Sequence, residues 1–80
     1  MTFREYLQQV SDKDLIKAFE EYQELASSGV LHGGVSREFL RKCEEIYGAE
    51  FTLNFIEKEV YYEMGRRYYE LKMKNRGSSV

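Results

Sequence analysis

The sequence contains one histidine and one cysteine, the side chains that often serve as catalytic bases, nucleophiles or metal ligands. His32 precedes two glycines in a segment without helical periodicity, where a catalytic base would still need an orienting partner and a nucleophile. Cys43 falls on the apolar side of a predicted helix, which is typical of an unreactive buried thiol. One cysteine and one histidine cannot complete a structural zinc site. We therefore predict a non-enzymatic protein without a metal, a cofactor or a small-molecule substrate.

Two further motifs of enzymes are incomplete in this sequence. Glutamates are numerous, but the Glu-x-x-His spacing of carboxylate metal sites in helical bundles does not occur. Gly33 and Gly34 are not followed by the Lys-Ser/Thr pair that a phosphate-binding loop requires. These absences lower the weight of an enzymatic function further.

The most basic part of the chain lies at its C-terminal end. Residues 1–50 carry six basic and ten acidic side chains, a net charge of -4, whereas residues 51–80 carry six basic and four acidic ones, a net charge of +2. Cations mixed with tyrosines are typical of single-stranded nucleic-acid sites. The alternative function is therefore nucleic-acid binding, and its candidate residues are Arg66, Arg67, Lys72, Lys74 and Arg76. Because the whole chain has a net charge of -2, we rank nucleic acid below protein as a partner.

The predicted last helix carries apolar residues on two opposite faces. On a helical wheel, one stripe consists of Leu53, Ile56, Val60, Met64 and Leu71. A second stripe, which we call the aromatic ridge, consists of Phe55, Tyr62, Tyr69 and Met73. Lys58 and Arg66 lie beside this ridge. The first stripe is typical of a helix facing a core.

The aromatic ridge has two interpretations. It packs inside the bundle if the last helix is the central one, or it stays open as a contact surface. Tyrosine, methionine and arginine are enriched at protein interfaces, and little apolar surface remains elsewhere to cover the ridge. We therefore favour a small protein-interaction or regulatory domain that acts through the ridge, on another protein or by self-association as a homodimer. The candidate residues are Phe55, Lys58, Tyr62, Arg66, Tyr69 and Met73.

Capping signals and helical periodicity divide the chain into four helices, so the predicted fold class is all-α. Thr2 and Glu5 fit a capping box that starts a short first helix, and Ser11 is the expected N-cap of the second. The second helix buries Leu15, Phe19, Tyr22 and Ala26, turns Glu20, Glu21 and Glu24 to solvent, and ends at Gly29. The third runs from an N-cap at Ser36 to Gly48, and the last from Thr52 to about Asn75. The expected core residues are Phe19, Tyr22, Phe39, Ile46, Ile56, Val60 and Met64.

The length of 80 residues is sufficient for one domain with one core. We assign residues 1–76 to this helical domain and residues 77–80 to a disordered tail. The longest apolar runs fall far short of the ~20 residues that a membrane span needs. Because the N-terminus also lacks the apolar stretch of a signal peptide, we expect a cytoplasmic location and no membrane partner.

Three short segments resemble parts of the small helical-hairpin proteins that inhibit sporulation histidine kinases. They are Ser11-Asp12-x-x-Leu15-Ile16, Phe55-Ile56-Glu57 and Arg66-Arg67. The resemblance implies paired helices that act by binding another protein. An additional helix and two loops separate the segments here, and the spacing within the last helix differs. We therefore interpret the similarity as convergence, which agrees in kind with a protein-interaction function.

Overall fold

The computed structural model describes the backbone of residues 1–78 and the side chains of residues 1–75. Within that range the chain forms four helices and no strand: α1 (Phe3–Gln8), α2 (Asp12–Ser28), α3 (Val35–Tyr47) and α4 (Leu53–Ser78). The all-α prediction is confirmed. α4 extends three residues beyond its predicted end at Asn75 and so includes the first two residues of the predicted 77–80 tail. Ser79 and Val80 lie outside the described residues.

Local capping sets most of the helix ends. The Thr2 hydroxyl accepts a hydrogen bond from the Glu5 backbone N–H at 3.1 Å, and the Glu5 carboxylate accepts one from the Thr2 N–H at 2.8 Å. The Ser11 hydroxyl accepts from the Asp14 N–H at 3.2 Å and starts α2. Gly29 and Gly48 close α2 and α3 with left-handed backbone conformations. The predicted caps at Thr2, Ser11, Gly29 and Gly48 are all confirmed. Each of them involves residues that are close in sequence, so the sequence alone could predict it.

The start of α3 corrects two predictions. α3 begins at Val35, and its N-cap is Gly34, which has no side chain to accept a hydrogen bond. The Glu21 carboxylate of α2 takes this role: it accepts from the Val35 N–H at 3.2 Å, the Ser36 N–H at 2.9 Å and the Ser36 hydroxyl at 2.6 Å. Ser36 is therefore not the N-cap, and Glu21 is buried rather than solvent-facing. A carboxylate is favoured here because the first N–H groups of a helix are unpaired and the helix dipole is positive.

The loop before α3 is shaped around the same carboxylate. Gly33 has φ +95°, and a Cβ at this position would lie 2.7 Å from Oε2 of Glu21. A side chain would therefore both strain the backbone and displace the cap. Gly33 therefore serves the packing of α2 against α3.

The core lies between the four helices, with the first half of α4 at its centre. Its buried apolar residues are Phe3, Leu7, Leu15, Ala18, Tyr22, Phe39, Cys43, Ile56 and Val60. Of the predicted core residues, Phe19, Ile46 and Met64 are only partly buried. Ala26 and Leu71 are exposed, which contradicts the prediction. α2 and α4 run antiparallel and do not cover each other fully at their ends. Ala26 lies near the end of α2, and Leu71 lies where α4 borders the start of α2 only across an open groove.

Candidate interaction surface

The C-terminal part of α4 continues past the end of the bundle. Arg67 still contacts α1 and α2, but every residue from Tyr68 to Asn75 is exposed. We call residues 68–75 the α4 extension. It displays four large apolar side chains whose exposed fractions are 62% for Tyr68, 63% for Tyr69, 56% for Leu71 and 43% for Met73. Exposed apolar surface on a protein marks a candidate interaction site when it forms a contiguous patch.

The predicted aromatic ridge is open at one end and closed at the other. Phe55 is half-buried against the core, and its ring lies 4.9 Å from that of Phe51 between centroids. Tyr62 is half-exposed, with the Arg4 guanidinium 4.1 Å from its ring centroid. Lys58 is exposed, as are Tyr69 and Met73 on the extension. Of the predicted interaction residues, the structure therefore leaves Tyr69 and Met73 most open to a partner.

A buried carboxylate on α4 gathers both arginines. Glu63 is 3% exposed and accepts hydrogen bonds from Arg66 at 2.7 and 3.0 Å and from Arg67 at 2.7 Å. Burial acts to raise the pKa of the Glu63 carboxyl, but the hydrogen bonds and charges of the two arginines outweigh it and hold that pKa below its usual value. Glu63 is absent from the sequence-based candidates, although its i, i+3 and i, i+4 spacing from the arginines is visible in the sequence.

Arg67 also connects α4 with the junction of α1 and α2. Its Nη1 donates to Asp12 Oδ1 at 2.6 Å, and its Nη2 donates to the carbonyl oxygens of Leu7 at 2.9 Å and Val10 at 2.7 Å. These carbonyls lie at and just after the C-terminal end of α1, where helical donors run out; the Leu7 carbonyl also accepts from the Val10 N–H at 3.1 Å. The guanidinium therefore caps α1 from another helix.

The nucleic-acid candidates are only in part available to an external anion. Arg66 bonds to Glu63 and also to Glu70, at 2.5 Å, so both arginines already have acidic partners. The Lys72 ammonium lies 5.5 Å from the ring centroid of Tyr68, and Lys74 borders the groove described next. The Arg76 side chain lies outside the described part of the chain. Of the predicted set, Lys72 and Lys74 therefore stay exposed, and the Glu70 carboxylate borders the same groove as Lys74.

An apolar groove of about 480 Å³ runs between the start of α2 and the second half of α4. Its apolar lining consists of Leu15, Ile16, Met64, Tyr68 and Leu71. Its polar rim consists of Asp12, Arg67, Glu70 and Lys74. Ile16 is half-exposed, so the groove is open to solvent along one side. The helical wheel placed Leu71 on the core-facing stripe, and it did not predict that Leu71 and Ile16 border one groove.

A second depression of similar volume lies at the start of α4. It is bordered by Phe55 and Lys58 together with polar neighbours, including Glu57 and Tyr61. The Tyr61 hydroxyl donates to Glu57 at 2.7 Å, and burial together with this hydrogen bond raises the pKa of Tyr61 to about 12. Two of the polar side chains of this depression, Glu57 and Tyr61, thus already bond to each other.

The histidine and the cysteine lie apart from both depressions. His32 is exposed, with Nε2 3.9 Å from a carboxylate oxygen of Glu24. Cys43 is fully buried, and burial raises the pKa of its thiol. Among the described residues no cluster of three or more His, Cys, Asp or Glu side chains could hold a metal ion. No helix in that part of the chain is long and apolar enough to cross a membrane.

Comparison with known proteins gives no family assignment. The sequence matches no protein-family model, and neither curated proteins nor solved structures give a match.

Proposed function

We propose that this protein is a small non-enzymatic interaction or regulatory domain that binds another protein chain through the α4 extension. The observation that carries the proposal is the exposure of Tyr68, Tyr69, Leu71 and Met73 on a helix that leaves the bundle. Each aromatic ring offers a large area for burial at a low entropic cost, and the tyrosine hydroxyls tolerate water while the surface is free.

The stability of the extension supports the same function. The extension continues a helix that the bundle already nucleates, and none of its described residues belongs to the core or packs against it. Burial of apolar area contributes about 25 cal/mol of favourable free energy per Å². Docking of the extension against a partner would therefore both stabilise the helix and provide binding energy. The extension is therefore an already formed helix whose exposed side chains can be buried in a complex.

The charges around the extension favour a protein partner over nucleic acid. Arg66 and Arg67 are held by Glu63, Glu70 and Asp12, and a phosphate backbone would have to displace these carboxylates. Nucleic-acid sites normally combine several unpaired cations, because affinity comes from the release of counterions. The paired arginines instead hold the base of the extension in place.

Site-specific photo-crosslinking in the cells that produce the protein tests this function. A benzophenone amino acid is placed at Tyr69 or Leu71 of the full chain, and at exposed Gln23 on α2 as the control. We expect discrete protein adducts from the two extension positions and none from Gln23. The proposal is wrong if the extension positions give no adduct, or if all three positions give the same ones.

A further inference from the structure

We infer that Gly65 is a hinge at which the second half of α4 changes direction relative to the bundle, and that Arg67 is the latch that holds this half in its observed direction. The inference adds regulation to the proposed function and rests on it only for the role of the α4 extension as the binding surface. Its basis is the juxtaposition of an exposed helical glycine, the last core contact of α4 and polar bonds on both sides of that glycine.

Packing does not require a glycine at position 65. Gly65 is exposed within α4, and a Cβ built there would have no atom of another helix within 4 Å. Its φ is not positive, so the backbone conformation does not require a glycine either. In a helix interior glycine is about four- to fivefold less favourable than alanine. What glycine contributes at this position is a backbone that bends easily, as the small residues at hinges often do.

The contacts between α4 and the bundle change in kind at Gly65. Met64, directly before it, is the last described residue of α4 that packs against the core. Arg67, two residues after it, reaches back by hydrogen bonds to Asp12 and to carbonyl oxygens at the end of α1. Beyond this point Tyr68 borders α2 only across the open groove. The hinge therefore lies between the part of α4 that core packing fixes and the part that polar bonds hold, and polar bonds can be exchanged for water or for a partner.

A buried carboxylate braces the hinge from its other side. Glu63, two residues before Gly65, accepts hydrogen bonds from Arg66 and Arg67 directly after it. Arg66 also bonds to Glu70, so a line of charged side chains crosses the glycine and keeps the helix straight.

Release of the latch changes the binding surface. Once Arg67 leaves Asp12 and the α1 carbonyl oxygens, the extension can move away from the start of α2. The groove beside Leu15 and Ile16 then widens and offers more apolar surface. The latch thus controls how much of the groove a partner meets.

Distances between two nitroxide labels, measured by pulsed electron paramagnetic resonance on the full chain, test the hinge. The labels are attached to cysteines introduced at exposed Lys17 on α2 and exposed Lys72 on the extension, while Cys43 is fully buried and stays unlabelled. Position 72 lies about 10 Å beyond Gly65 along the helix axis. A kink of about 30° would therefore displace it by roughly 5 Å. We expect one dominant distance in the labelled parent and a second, longer distance after Arg67→Met.

Gly65→Ala is the change that connects this second distance with the hinge. The added methyl group has open space, so it stiffens the helix without a clash. Combined with Arg67→Met, it should lower the population of the longer distance about four- to fivefold, the ratio given by the two helix propensities. Asn54→Ala is the matched control, because it also raises helix propensity at an exposed position of α4 but lies before the hinge. It should leave both populations unchanged.

Circular dichroism establishes that each variant is folded. If Arg67→Met does not fold, Asp12→Ala takes its place, since it removes one bond of the latch at an exposed carboxylate. The hinge is wrong if the folded latch variant keeps the single distance of the parent, or if Gly65→Ala leaves the longer distance equally populated. The photo-crosslinking experiment does not depend on a change of direction, so the hinge and the proposed function fail separately.

Discussion

Replacement of Arg67 by methionine separates a structural role of this arginine from a role in nucleic-acid binding. Methionine keeps an unbranched apolar side chain beside α1 and removes the guanidinium. The substitution deletes the ion pair with Asp12, one of the bonds to buried Glu63, and the two bonds to the carbonyl oxygens of Leu7 and Val10. If Arg67 instead served an external phosphate, its removal would leave the folded state almost unchanged.

The expected loss follows from these contacts. A hydrogen bond to a charged group contributes about 1.5–3 kcal/mol, and the loss of one partner of a buried pair is costly because the remaining charge stays buried. After the substitution the Glu63 carboxylate keeps its bonds to Arg66, and the Asp12 carboxylate is exposed to water. The loss of stability is therefore smaller than if both carboxylates were left buried without a partner. We therefore expect Arg67→Met to lower the free energy of unfolding by about 2–4 kcal/mol, a large part of the total for a small domain.

Urea denaturation followed by circular dichroism at neutral pH measures this loss. Arg66→Met is the matched control, because Arg66 pairs only with Glu63 and Glu70 on its own helix in the described part of the chain. The control also removes two bonds to buried Glu63 but breaks no contact between helices, so it should lose less stability than Arg67→Met. If Arg67→Met unfolds within about 0.5 kcal/mol of the wild type, the capping role is wrong. If it also abolishes binding to single-stranded RNA or DNA, the nucleic-acid alternative replaces our proposal.

Four further predictions concern stability. Ile56→Ala, in the centre of the core, should lower the free energy of unfolding by about 2–5 kcal/mol in a urea titration. Glu21→Gln should cost about 1–3 kcal/mol, because it removes the charge and places an amide group among N–H donors at the start of α3; an unchanged midpoint would contradict this cap. Tyr62→Ser combined with Tyr69→Ser should leave the monomer within about 1 kcal/mol of the wild type in a thermal melt, since both rings are at least half-exposed. Because the pKa of Glu63 lies below its usual value, its stabilisation should be complete above about pH 5 and decline as the pH falls through the folded-state pKa. Glu63→Gln should reduce this dependence of the free energy of unfolding on acid pH. If the free energy falls equally with pH in the wild type and in the variant, the role of Glu63 is wrong.

The helix ends that sequence could predict are those fixed by neighbouring residues. Thr2 and Glu5, or Ser11 and Asp14, are three positions apart, so their capping bonds follow from the sequence once a helix is assumed. The cap of α3 has no such signal. Glu21 is 14 residues from Val35 and stands in a run of glutamates that periodicity alone assigns to solvent. Ser36 has the residue type of an N-cap, but the fold uses its hydroxyl as a donor to Glu21.

The surface of α4 shows a second limit of prediction from sequence. Helical periodicity does not tell over what length two helices pack against each other. Val60 and Leu71 belong to the same stripe on a helical wheel, yet Val60 is fully buried and Leu71 is exposed. The wheel gives the angular position of a residue but not whether a neighbouring helix reaches its level along the axis. α2 has 17 residues and α4 has 26, so about 13 Å of α4 must extend beyond α2 if their opposite ends are roughly aligned. The bond between Asp12 and Arg67 fixes that alignment, so from Tyr68 onwards α4 borders α2 only across the open groove beside Leu15 and Ile16. The same apolar stripe therefore stabilises the fold before this point and is free to bind a partner after it.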